Sequence, residues 1–371
     1  VRPARASGTS QGAGAPQGAG APQGAGASAA LAHPQDALPQ DALPQDALPQ
    51  DALPQDAWRL DAPPAAPGAY RWYYADVTCG DTTAVFIFML GSLFSPRYAA
   101  GAARGALPLQ HCAVNLCVYV AGRPRAWVLS EYPTASLEGG HTLRIGRSRL
   151  SYLPGGVLEL EVDEREAAPF GRPVRARARL TAQSPALGGV CLSPGLPHHW
   201  QPRAARAGAT LALEAPGLAA PPAGAAPLTG HGYHDTNWGE EPLGLRLGAW
   251  RWTRLHLPER TLITYRLGGG TTPLVVEADG AGVHARHLPV EEGPERRSGW
   301  GLAVPRELRG PGLALPATGR LLESSPFYAR LEAHGPGGVH ALGEVADFRR
   351  FRSPLVRWMA HFRTRVEAGA R

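Results

Sequence analysis

From Tyr70 onward the chain is written in short apolar or alternating runs, each closed by glycine or proline. Tyr70–Tyr74 is aromatic, and Ala84–Leu90 is continuously apolar, as a buried strand would be. Cys112–Val120, Trp127–Ser130 and Ser148–Leu153 follow in the same style. Val157–Val162 and Val174–Leu180 alternate with period two, the latter setting Arg175, Arg177 and Arg179 on one side. The pattern returns at Leu245–Leu257, Thr261–Leu267, Pro273–Ala278, Gly282–Leu288, Thr318–Glu323 and Tyr328–Ala333. Short strands with turns at this spacing indicate an all-β barrel or sandwich.

At 371 residues the chain is long enough for two domains. Residues 1–67 cannot supply a core. They repeat Gln-Gly-Ala-Gly-Ala-Pro from Gln11 and Pro-Gln-Asp-Ala-Leu from Pro34. A five-residue period fits neither a helix face nor a strand face, and the composition reads as disordered. Pro202–Pro227 is rich in Ala, Pro and Gly around a possible strand, Ala209–Leu213. The expected domains are therefore 68–228 and 229–371. Ser353-Pro354 opens a predicted C-terminal helix, with Leu355, Met359, Phe362 and Val366 on one face. That face either docks on the protein's own barrel or lies on a membrane surface.

All 37 basic residues are arginine. After the tail the chain carries 34 of them against 25 acids, a net of +9. Such a balance favours an anionic partner. No nucleic-acid motif is present, so a membrane surface is preferred. The longest apolar run, Ala84–Leu90 with a loose extension to Phe94, is too short to span a bilayer. The start of the sequence lacks the apolar core of a signal peptide, and an intracellular chain, at most peripheral to a membrane, is expected. The four cysteines (Cys79, Cys112, Cys117, Cys191) form no Cys-x-x-Cys pair and read as small buried hydrophobes.

One stretch concentrates chemistry: Gly230-His231-Gly232-Tyr233-His234-Asp235-Thr236-Asn237-Trp238-Gly239. It reads equally as a hairpin corner or as a site. Pro197-His198-His199-Trp200 precedes it, Glu240 and Glu241 follow, and Trp250-Arg251-Trp252 closes the group, as a pocket between two halves would require. A metal set from His231, His234 and one of His198, His199 or Asp235 lacks any established spacing, and no metal is expected. No Gly-x-Ser-x-Gly occurs in the folded part to anchor a Ser-His-Asp triad. Gly268-Gly269-Gly270 lacks the Lys-Ser/Thr of a phosphate loop, and no dinucleotide fingerprint is present, so no cofactor is expected. Cofactor-free acid–base chemistry remains. A carboxylic acid kept neutral by an apolar pocket can protonate even an alkene, and aromatic faces can stabilise the resulting cation. Asp235 between Tyr233 and Trp238 is the candidate acid.

Trp72-Tyr73-Tyr74-Ala75-Asp76, Gly91-Ser92-Leu93-Phe94-Ser95-Pro96-Arg97-Tyr98, His111-Cys112-Ala113-Val114-Asn115, Tyr233–Gly239 and Phe351-Arg352-Ser353-Pro354 occur in this order. Together they resemble the carotenoid 1,2-hydratases, also called hydroxyneurosporene synthases, of phototrophic purple bacteria. The likeness runs from about Tyr70 to Arg365. It implies two lipocalin-like β-barrels or sandwiches. It implies hydration of the terminal C1–C2 double bond of acyclic carotenes such as neurosporene and lycopene, without a cofactor. It implies a cytoplasmic enzyme peripheral to the inner, photosynthetic membrane. By the same resemblance Asp235 is the acid, and Tyr233, His198 and Trp200 complete the catalytic group, with His199 the alternative to His198. Trp200 and Tyr233 would line the cation, and His198 or His234 would handle the attacking water. His234, Trp238 and Trp252 are expected to contact the substrate. Asn237 and Trp238 are equally readable as turn-shaping residues, and Arg97 and Asn115 as architectural. A lipocalin-like carrier without catalysis, or a cofactor-free cyclase or isomerase on the same scaffold, is the competing reading.

Overall fold

Both faces of the first strand are apolar, and that decides the architecture. In β1 (Tyr70–Cys79), Tyr70, Trp72 and Tyr74 point to one side and Tyr73, Ala75 and Val77 to the other, and all six are buried. A strand with two apolar faces needs a packed layer on each. The computed structural model describes residues 58–192, 198–218, 225–242, 247–268, 272–316 and 321–368. All of these fall within one unit, Ala47–Arg371. The expected disorder of residues 1–57 lies outside the described residues.

The chain continues through β2 (Thr82–Leu90), β3 (Cys112–Val120), β4 (Arg123–Tyr132), β5 (Ser136–Glu138), β6 (Thr142–Ile145), β7 (Ser148–Leu153), β8 (Val157–Arg165), β9 (Pro173–Ala182), β10 (Val190–Cys191), β11 (His199–Glu214) and β12 (Leu228–Gly239). Next come β13 (Ala249–His256), β14 (Arg260–Leu267), β15 (Leu274–Asp279) and β16 (Val283–His287). Two small ribbons follow, β17 (Glu295–Arg297) with β18 (Ala303–Pro305) and β19 (Glu307–Gly310) with β20 (Leu313–Pro316). The last strands are β21 (Leu321–Ser324), β22 (Tyr328–His334), β23 (His340–Asp347) and β24 (Arg365–Val366). Among the described residues the α-helices are α1 (Pro96–Ala102) and α2 (Pro354–His361).

Among the described residues the first sheet has the order β24-β4-β3-β2-β1-β12-β11-β9-β8-β7-β6-β5, with β10 on β11. The second has the order β16-β15-β14-β13-β23-β22-β21. Every pairing is antiparallel except β24 on β4. The first sheet curls, so that Tyr132 of β4 donates to Glu164 of β8 at 2.9 Å. Three cores result: one inside the curl, one between the two sheets, and one under the ribbons of the second sheet. This all-β, lipocalin-like fold is the one expected.

The structure adds to the sequence reading at four places. Residues 58–67 lie in the repeat-rich extension, yet Trp58 is buried in the curl, edge-on to Tyr152. His199–Glu214 forms one sixteen-residue strand where composition marked only Ala209–Leu213. Pro202 masks it: the pairing with β12 shifts register between Pro202 and Ala204 and again between Ala204 and Ala207, and such irregularities are where a sheet admits proline. The expected boundary near 228 coincides with the start of β12, a strand of the first sheet, and the chain changes sheet between Gly239 and Ala249. Finally, α2 ends at His361, and Val366 belongs to β24 rather than to the helical face. The pairing of Arg365–Val366 with Ser130–Glu131 pulls the chain out of helix.

Candidate active site

Residues 230–239 do not form a hairpin corner. They run through β12, inside the first sheet, between β1 and β11. The glycines serve the strand. A Cβ at Gly230 would stand 2.0 Å from the Thr78 carbonyl oxygen, and one at Gly232 would stand 2.9 Å from that of Asp76. Only glycine lets β1 approach so closely.

Strand alternation sorts the motif's side chains. Tyr233, Asp235 and Asn237 face the second sheet, whereas His234, Thr236 and Trp238 face the other way. Asp235 is 4% exposed. Its Oδ2 accepts from the Tyr233 hydroxyl at 2.6 Å and from Trp200 Nε1 at 2.8 Å. Its Oδ1 accepts from Asn237 Nδ2 at 2.8 Å. Burial pushes this carboxyl up to about 7, against the lowering by Tyr233 and Trp200 and with a further push from Glu344 and Asp76. Near neutral pH the carboxyl therefore exists in part as the neutral acid. The hydrogen bonds say where its proton sits. Oδ2 already accepts twice, as a carbonyl oxygen can, so the proton belongs on Oδ1.

Asp235 and Asn237 line a cavity of about 500 Å³ between the two sheets. Its walls near them are aromatic: Trp72, Tyr74, Trp250, Trp252 and Tyr265. The second sheet contributes one further polar group. Arg330 donates to Glu344 Oε1 at 3.0 Å, pairs with Glu323 at 2.8 Å, and donates to the Tyr119 hydroxyl at 2.8 Å. Arg330, Glu344 and Glu323 all line the cavity. The wall carries on through Met359, Phe362 and Arg363 at and beyond the end of α2, and through Trp300.

The expected site residues are not all brought together. Trp200 and Tyr233 stand behind the Asp235 carboxylate as its donors and do not line the cavity. His198 is buried one layer back. Its Nδ1 pairs with the Tyr70 hydroxyl at 2.8 Å and its Nε2 with that of Tyr265 at 3.3 Å. Burial drives it down to about 3, so it is neutral. His199 lies on the opposite face, stacked on Trp238. His234 bonds Tyr152 and the Tyr74 carbonyl oxygen on the curl side. Of the three expected substrate contacts, Trp252 reaches the cavity; His234 and Trp238 do not, because even-numbered residues of β12 face away. The same parity separates His231 from His234. His231 stacks on His256 instead, at 3.9 Å between ring centroids, and no shared metal position exists for the pair.

Residues 86–370 match the family model described as carotenoid hydratase CrtC. The chain belongs to that family. It is 33% identical over 311 residues to the acyclic carotenoid 1,2-hydratase of Thiocapsa roseopersicina, covering 80% of this chain and 73% of that one. It is 30% identical over 294 residues to the protein of the same name from Rhodobacter capsulatus, covering 76% and 98%. Both names describe hydro-lyases, and the family membership makes this chain an enzyme of that class. A crystal structure from Nitrosomonas europaea assigned to AttH covers 80% of this chain and 99% of its own, with a TM-score of 0.52 at 14% identity, which shows the fold. Within this hydratase the Arg330–Glu344–Glu323 group was not singled out in the sequence, and Asn237, equally readable there as turn-shaping, lines the cavity. The available signal was charge in otherwise apolar strands: Arg330 and Glu332 in Tyr328–Ala333 and Glu344 in His340–Ala346.

Proposed function

We propose that this hydratase adds water across the terminal C1–C2 double bond of an acyclic carotene, with Asp235 as the general acid. The observation that carries the reading is a buried carboxyl, pushed up to about 7 and facing an aromatic cavity. Asp235 Oδ1–H delivers its proton to C2. The C1=C2 π pair forms the new C–H bond, leaving a tertiary cation at C1. Trp72, Tyr74, Trp252 and Tyr265 offer their π faces to that cation. Water attacks C1, and the proton it sheds restores Asp235, directly or by way of Glu344, so the cycle consumes only substrate and water. Asn237 Oδ1 is buried without a partner among the described residues and stands beside Asp235 as an acceptor for that water. Glu344, paired with Arg330, is the second carboxylate on the cavity and takes the role first considered for His198 and His234.

The cavity suits one end of a long polyene, and its exposed rim suits a membrane. Leu355, Trp358 and Phe362 are 63%, 61% and 67% exposed, and no residue of α2 is buried. Arg357 and Arg363 flank them. An apolar face ringed by arginine fits the surface of an anionic bilayer, from which a carotene reaches the cavity without crossing water. No helix among the described residues is long and apolar enough to cross a membrane.

Expression in a carotene-producing host, followed by pigment analysis, tests the chemistry. Hydroxylated carotenoid should accumulate with the wild-type chain and not with Asp235→Asn; undiminished product from that variant would remove Asp235 as the acid. Flotation with phosphatidylglycerol vesicles tests the rim. Binding should weaken several-fold in Trp358→Glu, and equal binding of the two proteins removes α2 from the membrane contact.

A further inference from the structure

A second cluster of ligand-type side chains lies at the far end of the hairpin that carries Arg330 and Glu344. Glu332 and His334 are two apart on β22 and so share one face. His340 opens β23 and stands directly opposite His334 in the pairing register. The turn between them bends through Gly337 and Gly338, whose φ values of 68° and 80° suit glycine. Backbone pairing alone therefore sets all three side chains on one face of a two-stranded ribbon.

Their ligand atoms lie within 4.8 Å of one another. His340 Nε2 is 3.1 Å from Glu332 Oε1, and His334 Nε2 is 3.4 Å from Glu332 Oε2. Zinc–nitrogen and zinc–oxygen bonds of about 2.0–2.2 Å in a tetrahedron require ligand atoms about 3.3 Å apart. The cluster also has the other parts of a metal site. Thr83, from the first sheet, donates to Glu332 Oε1 at 3.1 Å and fixes the carboxylate from behind. Glu332 and His340 are buried, while the His334 side chain is 47% exposed and leaves an entry path. A buried carboxylate calls for a cation, and no arginine pairs with Glu332 among the described residues.

We infer that Glu332, His334 and His340 bind a divalent ion of the zinc type, with a fourth position open to water. Two nitrogens and one oxygen suit zinc and its neighbours among the transition metals and not magnesium or calcium. The site is separate from Asp235 and does not depend on the hydratase reading. Arg330, Glu332 and His334 share one face of β22, as do His340 and Glu344 on β23. An ion here ties off the end of the hairpin whose other end supplies the cavity's arginine and carboxylate.

The test is titration of the untagged, full-length chain with zinc chloride after chelator treatment, read by calorimetry and by the visible absorption of a Co²⁺-substituted sample. One saturable ion per chain is expected, with a tetrahedral Co²⁺ spectrum. His334→Ala alters an exposed side chain, so its fold is retained; it should weaken binding at least tenfold, and Glu332→Gln should do the same. Zinc should raise the Tm of the wild-type chain and leave that of His334→Ala unmoved. Absence of saturable binding to the wild-type chain, or binding undiminished in both variants, overturns the inference.

Discussion

Asp235 and Glu344 face one cavity from two different sheets, and their surroundings differ in kind. Asp235 is held by a phenol, an indole and a carboxamide, all neutral donors. Glu344 is held by the guanidinium of Arg330. Neutral donors in a dry site do not offset desolvation, and the Asp235 carboxyl rises to about 7. A guanidinium supplies the opposite charge directly. Two carboxylates with two environments are a recurrent means of holding an acid and a base in one pocket. In the proposed mechanism Asp235 carries the proton and Glu344, held by Arg330, faces the water.

Exchanging each carboxylate for its amide puts the largest strain on this comparison. Asp235→Asn keeps the acceptor for Tyr233 and Trp200 but has no acidic proton. It should lose at least about 10³-fold in kcat, within the range expected for an acid acting on a poor base. Glu344→Gln should lose about 10²-fold, because water remains a nucleophile toward a tertiary cation. Steady-state turnover of a carotene in detergent by both variants decides the matter. Equal losses, or the reverse order, break the division of roles.

The pH dependence is the next effect in size. With Asp235 as the proposed acid, activity should hold below about pH 7 and fall about tenfold per unit above it. The fall should persist in Glu344→Gln. Stability carries the same signature. The folded value of about 7 lies above the ordinary carboxyl value of 3.8, so between those limits the native state binds the extra proton. Stability from this group is complete below about pH 4 and is lost as pH rises through 7. The span corresponds to an upper bound of about 4 kcal/mol. Denaturant unfolding at pH 5 and pH 8 should show the decline in the wild type and a smaller one in Asp235→Asn. Equal slopes would mean that Asp235 is ionised throughout.

The sequence carried the all-β class because period two survives in strands such as Val157–Val162, where one face is wet. Continuous apolar runs such as Ala84–Leu90 marked strands buried on both faces, and the signal failed where proline interrupts, as at Pro202 in β11. Asp235 was legible because polar groups were crowded around it between glycines. Its surroundings were less so. A short polar stretch can be a turn or a strand, and only the pairing of β12 with β1 and β11 fixes which residues look into the cavity. Glu344, Arg330 and His340 belong to strands more than ninety residues further along. The meeting of Glu344 and Arg330 with Asp235 is a property of sheet order, and linear spacing does not encode it. A ligand set such as Glu332-x-His334 with His340 shows as a cluster only after the hairpin register is known.

A smaller effect sharpens the same lesson on the two faces of the motif. Trp252 lines the cavity, whereas Trp238 stacks on His199 and lies under Arg71 on the opposite side. Both indoles were expected at the substrate. Cation–π stabilisation at a desolvated site is worth about 1–2 kcal/mol, so Trp252→Leu should lower kcat by roughly tenfold, and Trp252→Phe by less because a ring remains. Trp238→Leu should change kcat less than twofold while lowering Tm, since its contacts are structural. Turnover measured beside thermal unfolding separates the two. A kinetic loss in Trp238→Leu matching that of Trp252→Leu would mean that the cation is not formed between the sheets, and the assignment of Asp235 would fall with it.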